Sequence, residues 1–187
     1  DGNRLIKLNP KVEVDVNAVA QGYSVDVLVD FLRSKGISNL LVELGGEVRA
    51  LGVNQFGEPW KVGIERPDFN DGVGRNSIKA VVALQGKALV TSGSNRKYIE
   101  VDGKKYSHTI NPKTGYPVSH SLLSVSVIAD NATDADGYAT AFMVLGVEES
   151  IKLAQKLGLE IFCIYDENGS FKTASTEGFS KYVLEEV

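Results

Sequence analysis

Asp136 and Thr140 stand four residues apart in Ala132-Thr133-Asp134-Ala135-Asp136-Gly137-Tyr138-Ala139-Thr140-Ala141. On a helix this spacing puts a carboxylate and a hydroxyl on one face, a hard-oxygen pair suited to Mg2+. The plainer reading is an acidic first turn that caps the helix and complements its dipole. A second constellation surrounds His108, one of only two histidines, in Tyr106-Ser107-His108-Thr109-Ile110-Asn111-Pro112. It lies between a strand and a turn punctuated by Pro112, Gly115 and Pro117, where a rigid scaffold presents side chains to a cleft. Imidazole titrates near neutrality, so a histidine there would take a proton from a hydroxyl nucleophile. The plainer reading is a histidine hydrogen-bonded within its own loop, and His120, in a serine-rich segment, is assigned to that role outright. The third constellation is Asp15-Val16-Asn17-Ala18-Val19-Ala20-Gln21-Gly22-Tyr23, an acid at a strand end before a helix N-terminus. Free backbone N–H groups at such a junction favour an anion, and the carboxylate beside them can accept from a base or a ribose. The plainer reading of Asp15 is a helix-initiating residue.

The elements that must position these groups can be read from apolar spacing. Val12 to Val16 alternates as a short strand and leads into a helix that Asn17 caps; Val25, Leu28, Val29 and Leu32 form its buried face, and Lys35-Gly36 stops it. Strands follow at 39–44 and 47–51 around Gly45-Gly46, then at 60–65, 77–84, 88–91 and 98–101, the last turning at Asp102-Gly103 into 104–109. The polar stretch from Pro67 to Asn76 reads as an exposed loop. A strand over 123–129 precedes helices over 132–145 and 147–157, punctuated by Gly146 and Gly158, and a strand pair at 161–165 and 171–174 ends the domain. Strands in runs and helices in a group point to an α+β fold with an antiparallel sheet rather than a doubly wound parallel one.

At 187 residues, 43% hydrophobic and 24% charged, the chain has the proportions of one globular domain. A net charge of −4 gives no broad basic field, which argues against nucleic acid as a partner. A nucleotide remains compatible, because one bound metal supplies positive charge locally. The single cysteine, Cys163, excludes an intrachain disulfide and, among apolar neighbours, reads as a packing residue. No apolar run approaches the roughly 18 residues of a spanning helix. The opening Asp1-Gly2-Asn3-Arg4 reads like the middle of a protein, as in a processed or truncated product.

Taken together and in order, the segments resemble the ApbE-type FAD:protein FMN transferases. The resemblance runs nearly end to end: Asp15 to Tyr23, Gly45-Gly46-Glu47, Thr91-Ser92-Gly93-Ser94, Ser107-His108 through Gly115-Tyr116-Pro117, and Ala135-Asp136 through Thr140 with Val144-Leu145-Gly146 behind. It implies an ApbE-like, T-fold-like α+β domain with helices packed on an antiparallel sheet, over residues 1–187, without the family's N-terminal segment. It implies that Asp15, Gln21 and Ile110 contact FAD, that Asp136 and Thr140 bind Mg2+ through side chains, and that Ala18 and Ala139 offer main-chain carbonyls. His108 would activate a Thr or Ser hydroxyl of a flavin-acceptor protein, giving a phosphoester-linked flavoprotein and AMP. Hydrolysis of FAD to FMN and AMP, or flavin binding without turnover, would use the same residues. The resemblance also implies an exported, periplasmic or outer-face location, with membrane contact only through an N-terminal lipid anchor absent from this sequence.

Overall fold

Strand alternation divides the apolar residues between two cores. In the computed structural model, which describes residues 4–67, 78–93, 98–101, 104–107 and 109–186, with 98–101 and 104–107 as backbone only, the chain runs through α1 (Asn17–Ser34), β1 (Leu40–Leu44), β2 (Glu47–Leu51), β3 (Trp60–Glu65), β4 (Ile78–Leu84), β5 (Lys87–Gly93), β6 (Tyr98–Val101), β7 (Lys104–Ser107), β8 (Leu122–Ala129), α2 (Ala132–Leu145), α3 (Val147–Leu157), β9 (Glu160–Glu167), β10 (Ser170–Ser175), a 3-10 turn (Glu177–Lys181) and β11 (Val183–Glu186). A six-stranded sheet in the order β1-β2-β5-β8-β9-β10 is antiparallel throughout. A second antiparallel sheet has the order β11-β4-β3, and β6 pairs with β7.

The six-stranded sheet is covered on both faces. Ala88, Val90, Val125, Val127, Ile161 and Cys163 pack with Val25, Val29, Ala135, Ala139 and Phe142 of the helices. Their strand neighbours Leu89, Ile128, Phe162 and Ile164 point the other way, against Ile64, Val82, Leu84 and Phe179. A strand buried on both faces needs a continuous apolar run, which is why Ile161 to Ile164 does not alternate with polar residues. Cys163 is fully buried, and burial pushes its thiol up to about 12, so it is a packing residue. The fold class is α+β, with antiparallel sheets and, among the described residues, three α-helices.

Local chemistry fixes the helix ends. Asn131 accepts from the Asp134 N–H at 2.7 Å and starts α2, and Gly158 in the left-handed region closes α3. The Lys35-Gly36 stop is observed, with Gly36 at φ 84°.

Four expectations need correction. Residues 12–16 form no strand: they pair with no neighbouring strand among the described residues, and Val12 and Val14 stand 49% and 58% exposed. Asn17 does not cap α1; Val16 holds the cap position without a side-chain bond, and Asn17 is the first helical residue. Leu28 leaves the buried face, at 44% exposed, because α1 turns Gly22, Val25 and Val29 to the core. The closing 3-10 turn and β11 were not foreseen, since Val183–Glu186 is held by pairing with β4, about a hundred positions earlier in the chain, rather than by local pattern. The expected loop beyond Pro67 and the Asp102-Gly103 turn lie outside the described residues.

Candidate functional site

The site forms where α1 crosses α2. Gly22 allows the close approach: a Cβ there would run into the Ala132 carbonyl and come within 2.8 Å of the Asp136 Cβ. Contacts descend antiparallel. Asp26 meets the first turn of α2, Gly22 meets Asp136, and Val19 lies against Gly137. Ala18 lies one turn before Gly22 on α1, and Thr140 one turn beyond Asp136 on α2. A regular helix would direct the Gly22 N–H to the Ala18 carbonyl. Here that N–H donates to Asp136 Oδ2 at 2.9 Å, so the carbonyl shares or yields its usual donor.

Asp136 is 5% exposed, and Gly22 supplies its only hydrogen bond among the described residues. Burial raises its pKa above the ordinary aspartate value, against the lowering effect of the Gly22 N–H. A buried carboxylate without a countercharge gains from a cation. The Thr140 hydroxyl, one turn along the same face, has no hydrogen-bond partner among the described residues. No group of three or more His, Cys, Asp or Glu side chains is placed to hold a metal among those residues. An ion at the crossing would therefore be completed by hydroxyl, carbonyl and water oxygens, a donor set that fits Mg2+ and not a soft transition metal.

One ion pair and one hydrogen bond to a carboxylate tie the crossing to the sheet. β1 and β2 are joined by Gly45-Gly46, both at positive φ, which sets Glu47 opposite Leu44. Glu47 and Arg49, two apart on β2, share the face toward α1. Arg49 pairs with Asp26 at 2.7 Å, and Asp26 also accepts from the Ala132 and Thr133 N–H groups at 2.9 and 2.8 Å, capping α2 from a neighbouring helix. Burial pushes the Asp26 pKa up, but the Thr133 hydroxyl, the two N–H groups and Arg49 together leave it lowered. Glu47, 8% exposed, accepts from Gln21 Nε2 at 3.1 Å. Its pKa is raised, by burial first and then by the negative charges of Asp136 and Glu43, against its own backbone N–H.

Of the residues singled out from sequence, Asp136 lies at this crossing, bonded to the Gly22 N–H, Gln21 stands beside it in a hydrogen bond with Glu47, and Ala18, Ala139 and Thr140 lie along the same two helices, with Ala139 fully buried. Asp15 does not share a hydrogen bond with it. Its carboxylate is taken by Asn17, through the backbone N–H at 2.7 Å and Nδ2 at 3.2 Å, which is the helix-initiating arrangement. Ile110, 47% exposed, bridges Pro117 at the base of a tight hairpin closed by Asn111 N–H to the Tyr116 carbonyl at 2.9 Å. That hairpin borders a cavity of about 420 Å³, also lined by Val144, one turn beyond Thr140 on α2. His108 lies outside the described residues, immediately after β7. His120 is structural, although its Nε2 bonds the Met143 carbonyl of α2 at 2.9 Å rather than its own loop. Thr91 bonds Ser126 across β5 and β8 at 2.7 Å, and Ser94 lies outside the described residues. Glu47 is a further residue beside the crossing, outside the three constellations of the sequence; an acid directly after a Gly-Gly strand turn is the signal for it.

The chain is similar in sequence and fold to known proteins. A family model described as the ApbE family matches residues 1–163. The FAD:protein FMN transferase of Escherichia coli (strain K12) is 40% identical over 177 residues, 95% of this chain and 49% of that protein. That of Vibrio cholerae serotype O1 is 37% identical over 183 residues, 98% of this chain and 54% of that protein. The solved flavin transferase ApbE from Vibrio cholerae superposes with a TM-score of 0.85 at 36% identity, covering 97% of this chain and 56% of that one. The apo Pseudomonas stutzeri flavinyl transferase ApbE gives 0.80 at 38% identity, covering 94% and 53%. This chain thus spans about half the length of these relatives. With one family model matching from residue 1 to residue 163 and the same fold at over a third identity, the chain belongs to the ApbE family.

Proposed function

We propose that this chain carries the metal- and nucleotide-binding half of an Mg2+-dependent flavin transferase, which moves the FMN portion of FAD to a Thr or Ser hydroxyl of an acceptor protein and releases AMP. The observation that carries the reading is the α1–α2 crossing, where the buried Asp136 has the Gly22 N–H as its one hydrogen-bond partner among the described residues and lies one helical turn from Thr140. Its relatives' names, FAD:protein FMN transferase and flavin transferase, supply the substrate.

Asp136 and Thr140 would hold Mg2+ through side chains, with Ala18 and Ala139 contributing main-chain oxygens. When bound, Mg2+ supplies charge neutralisation on the pyrophosphate and on the departing AMP. Gln21, Asp15 and Ile110 would position FAD. His108 would take the proton of the acceptor hydroxyl as its oxygen bonds to the FMN phosphorus and the phosphoanhydride bond to AMP breaks.

The test mixes the protein with FAD, Mg2+ and an acceptor domain bearing a Thr. Covalent flavin fluorescence on the acceptor in a denaturing gel, with one AMP per flavin attached, supports transfer. Free FMN without labelled acceptor shows hydrolysis instead, and tight FAD retention with neither product shows a binding module.

A further inference from the structure

Gln21 is held on two sides. Its Nε2 donates to the Glu47 carboxylate at 3.1 Å. Beneath it, Gly45 at φ 69° leaves the space a side chain would fill: a Cβ there would overlap Gln21 Nε2 and lie 3.4 Å from Glu47 Oε2. The Gly45-Gly46 turn is itself fixed, because Gly46 N–H donates to Glu43 Oε1 at 2.7 Å and Leu44 pairs with Glu47. Glu47 is 8% exposed while Gln21 is exposed, so the carboxylate forms the fixed wall and the amide the reaching group.

A primary amide has a donor end and an acceptor end, whereas an ionised carboxylate only accepts. The nitrogen of Gln21 must therefore face Glu47, and the carbonyl Oε1 is the end left to a ligand. From this arrangement we infer that Glu47 is a positioning residue that locks Gln21 as a hydrogen-bond acceptor, so that Gln21 selects a donor on the nucleotide, a sugar hydroxyl or a ring N–H, and not a phosphate oxygen. This rests on the reading above that the crossing binds FAD. It goes beyond that reading in assigning Glu47 a role and in fixing the polarity of the Gln21 contact. A phosphate offers only acceptors near neutral pH, so an acceptor-facing Gln21 would repel it and leave its neutralisation to the metal side of the crossing.

The test measures binding of FAD and, separately, of Mg2+ with inorganic pyrophosphate, in the wild-type chain, Glu47→Gln, Gln21→Met and the double variant. Glu47→Gln keeps size and hydrogen bonding but permits either amide orientation. The expected result is about fivefold weaker FAD binding, the scale of one hydrogen bond, with pyrophosphate binding unchanged. The double variant should then bind FAD no worse than Gln21→Met alone, the non-additivity of two residues acting as a unit. Equal weakening toward FAD and pyrophosphate in Glu47→Gln would overturn the inference, placing Glu47's effect on the metal. So would a full further loss on the Gln21→Met background, or no loss at all. If the wild-type chain binds pyrophosphate with Mg2+ but not FAD, the functional reading fails first and this inference with it. In the ligand-free protein, the Gln21 side-chain amide should show an NMR proton protected from exchange in wild type and lost in Glu47→Ala; an unprotected wild-type amide overturns the lock on its own.

Discussion

The backbone N–H of Gly22 on α1 donates to the carboxylate of Asp136 on α2 at 2.9 Å, joining residues 114 positions apart at the one place where α1 has no side chain to hold α2 away. Gly22→Ala would put a methyl group onto the Ala132 carbonyl and the Asp136 Cβ, both part of a packed helix. The expected cost is about 1–3 kcal/mol of folding stability, read from urea unfolding, together with weaker Mg2+ binding. Unchanged stability and metal affinity would show that the crossing adapts.

Asp136 and Glu47 both have raised pKa values, each by burial first, with the charge of Asp136 adding to the rise at Glu47. A carboxylate whose folded pKa lies above its unfolded value binds protons more strongly when folded, so stability falls as pH rises from the ordinary values of 3.8 and 4.5 through the folded ones. The metal-free protein should therefore melt lower near neutral pH than in mild acid. Asp136→Asn keeps an acceptor for Gly22 and removes the charge; it should flatten this slope and stabilise the metal-free protein at neutral pH by about 1 kcal/mol, while losing the Mg2+-induced rise in Tm. A mutant that melts no higher than wild type without metal would contradict the assignment of buried charge.

Asp26 has the opposite sign. Its folded pKa is lowered, so its contribution is present above the ordinary value of 3.8 and is lost as pH falls through the folded value. Asp26→Ala breaks a largely buried pair with Arg49 and removes the cap on α2, an expected loss of about 3 kcal/mol. The difference between mutant and wild type should shrink in strong acid, checked by denaturation at several pH values; a constant difference would mean that charge is not involved.

His108→Ala should reduce the rate of flavin transfer far more than it reduces FAD affinity, since the role proposed for it is to take a proton and not to hold the nucleotide. Transfer kinetics and FAD titration on the same preparation decide this. A fall in affinity as large as the fall in rate would make His108 a binding residue.

What the amino-acid sequence reveals here depends on how local the cause is. The ends of α2 and α3 are legible in Gly146 and Gly158, because such stops are decided by neighbouring residues. The four-residue spacing of Asp136 and Thr140 likewise sets them on one face. The partition of strands between two sheets, the pairing of Val183–Glu186 with β4 and the exposure of Leu28 depend on partners far away in the chain, and periodicity carries no record of them. At 12–16 the alternation is present, but no strand pairs with it among the described residues. Glu47 lies outside the three constellations because its role is created by the Gly45-Gly46 turn and the approach of Gln21, 26 residues away.

The most direct test is a calorimetric titration of Mg2+ into the protein with FAD present, comparing wild type with Asp136→Ala and Thr140→Ala. The account expects a single Mg2+ per chain in wild type, affinity reduced about 100-fold or more in Asp136→Ala and less severely in Thr140→Ala. Wild-type Mg2+ affinity in Asp136→Ala would contradict it, because no ion at the α1–α2 crossing could be indifferent to the loss of that carboxylate.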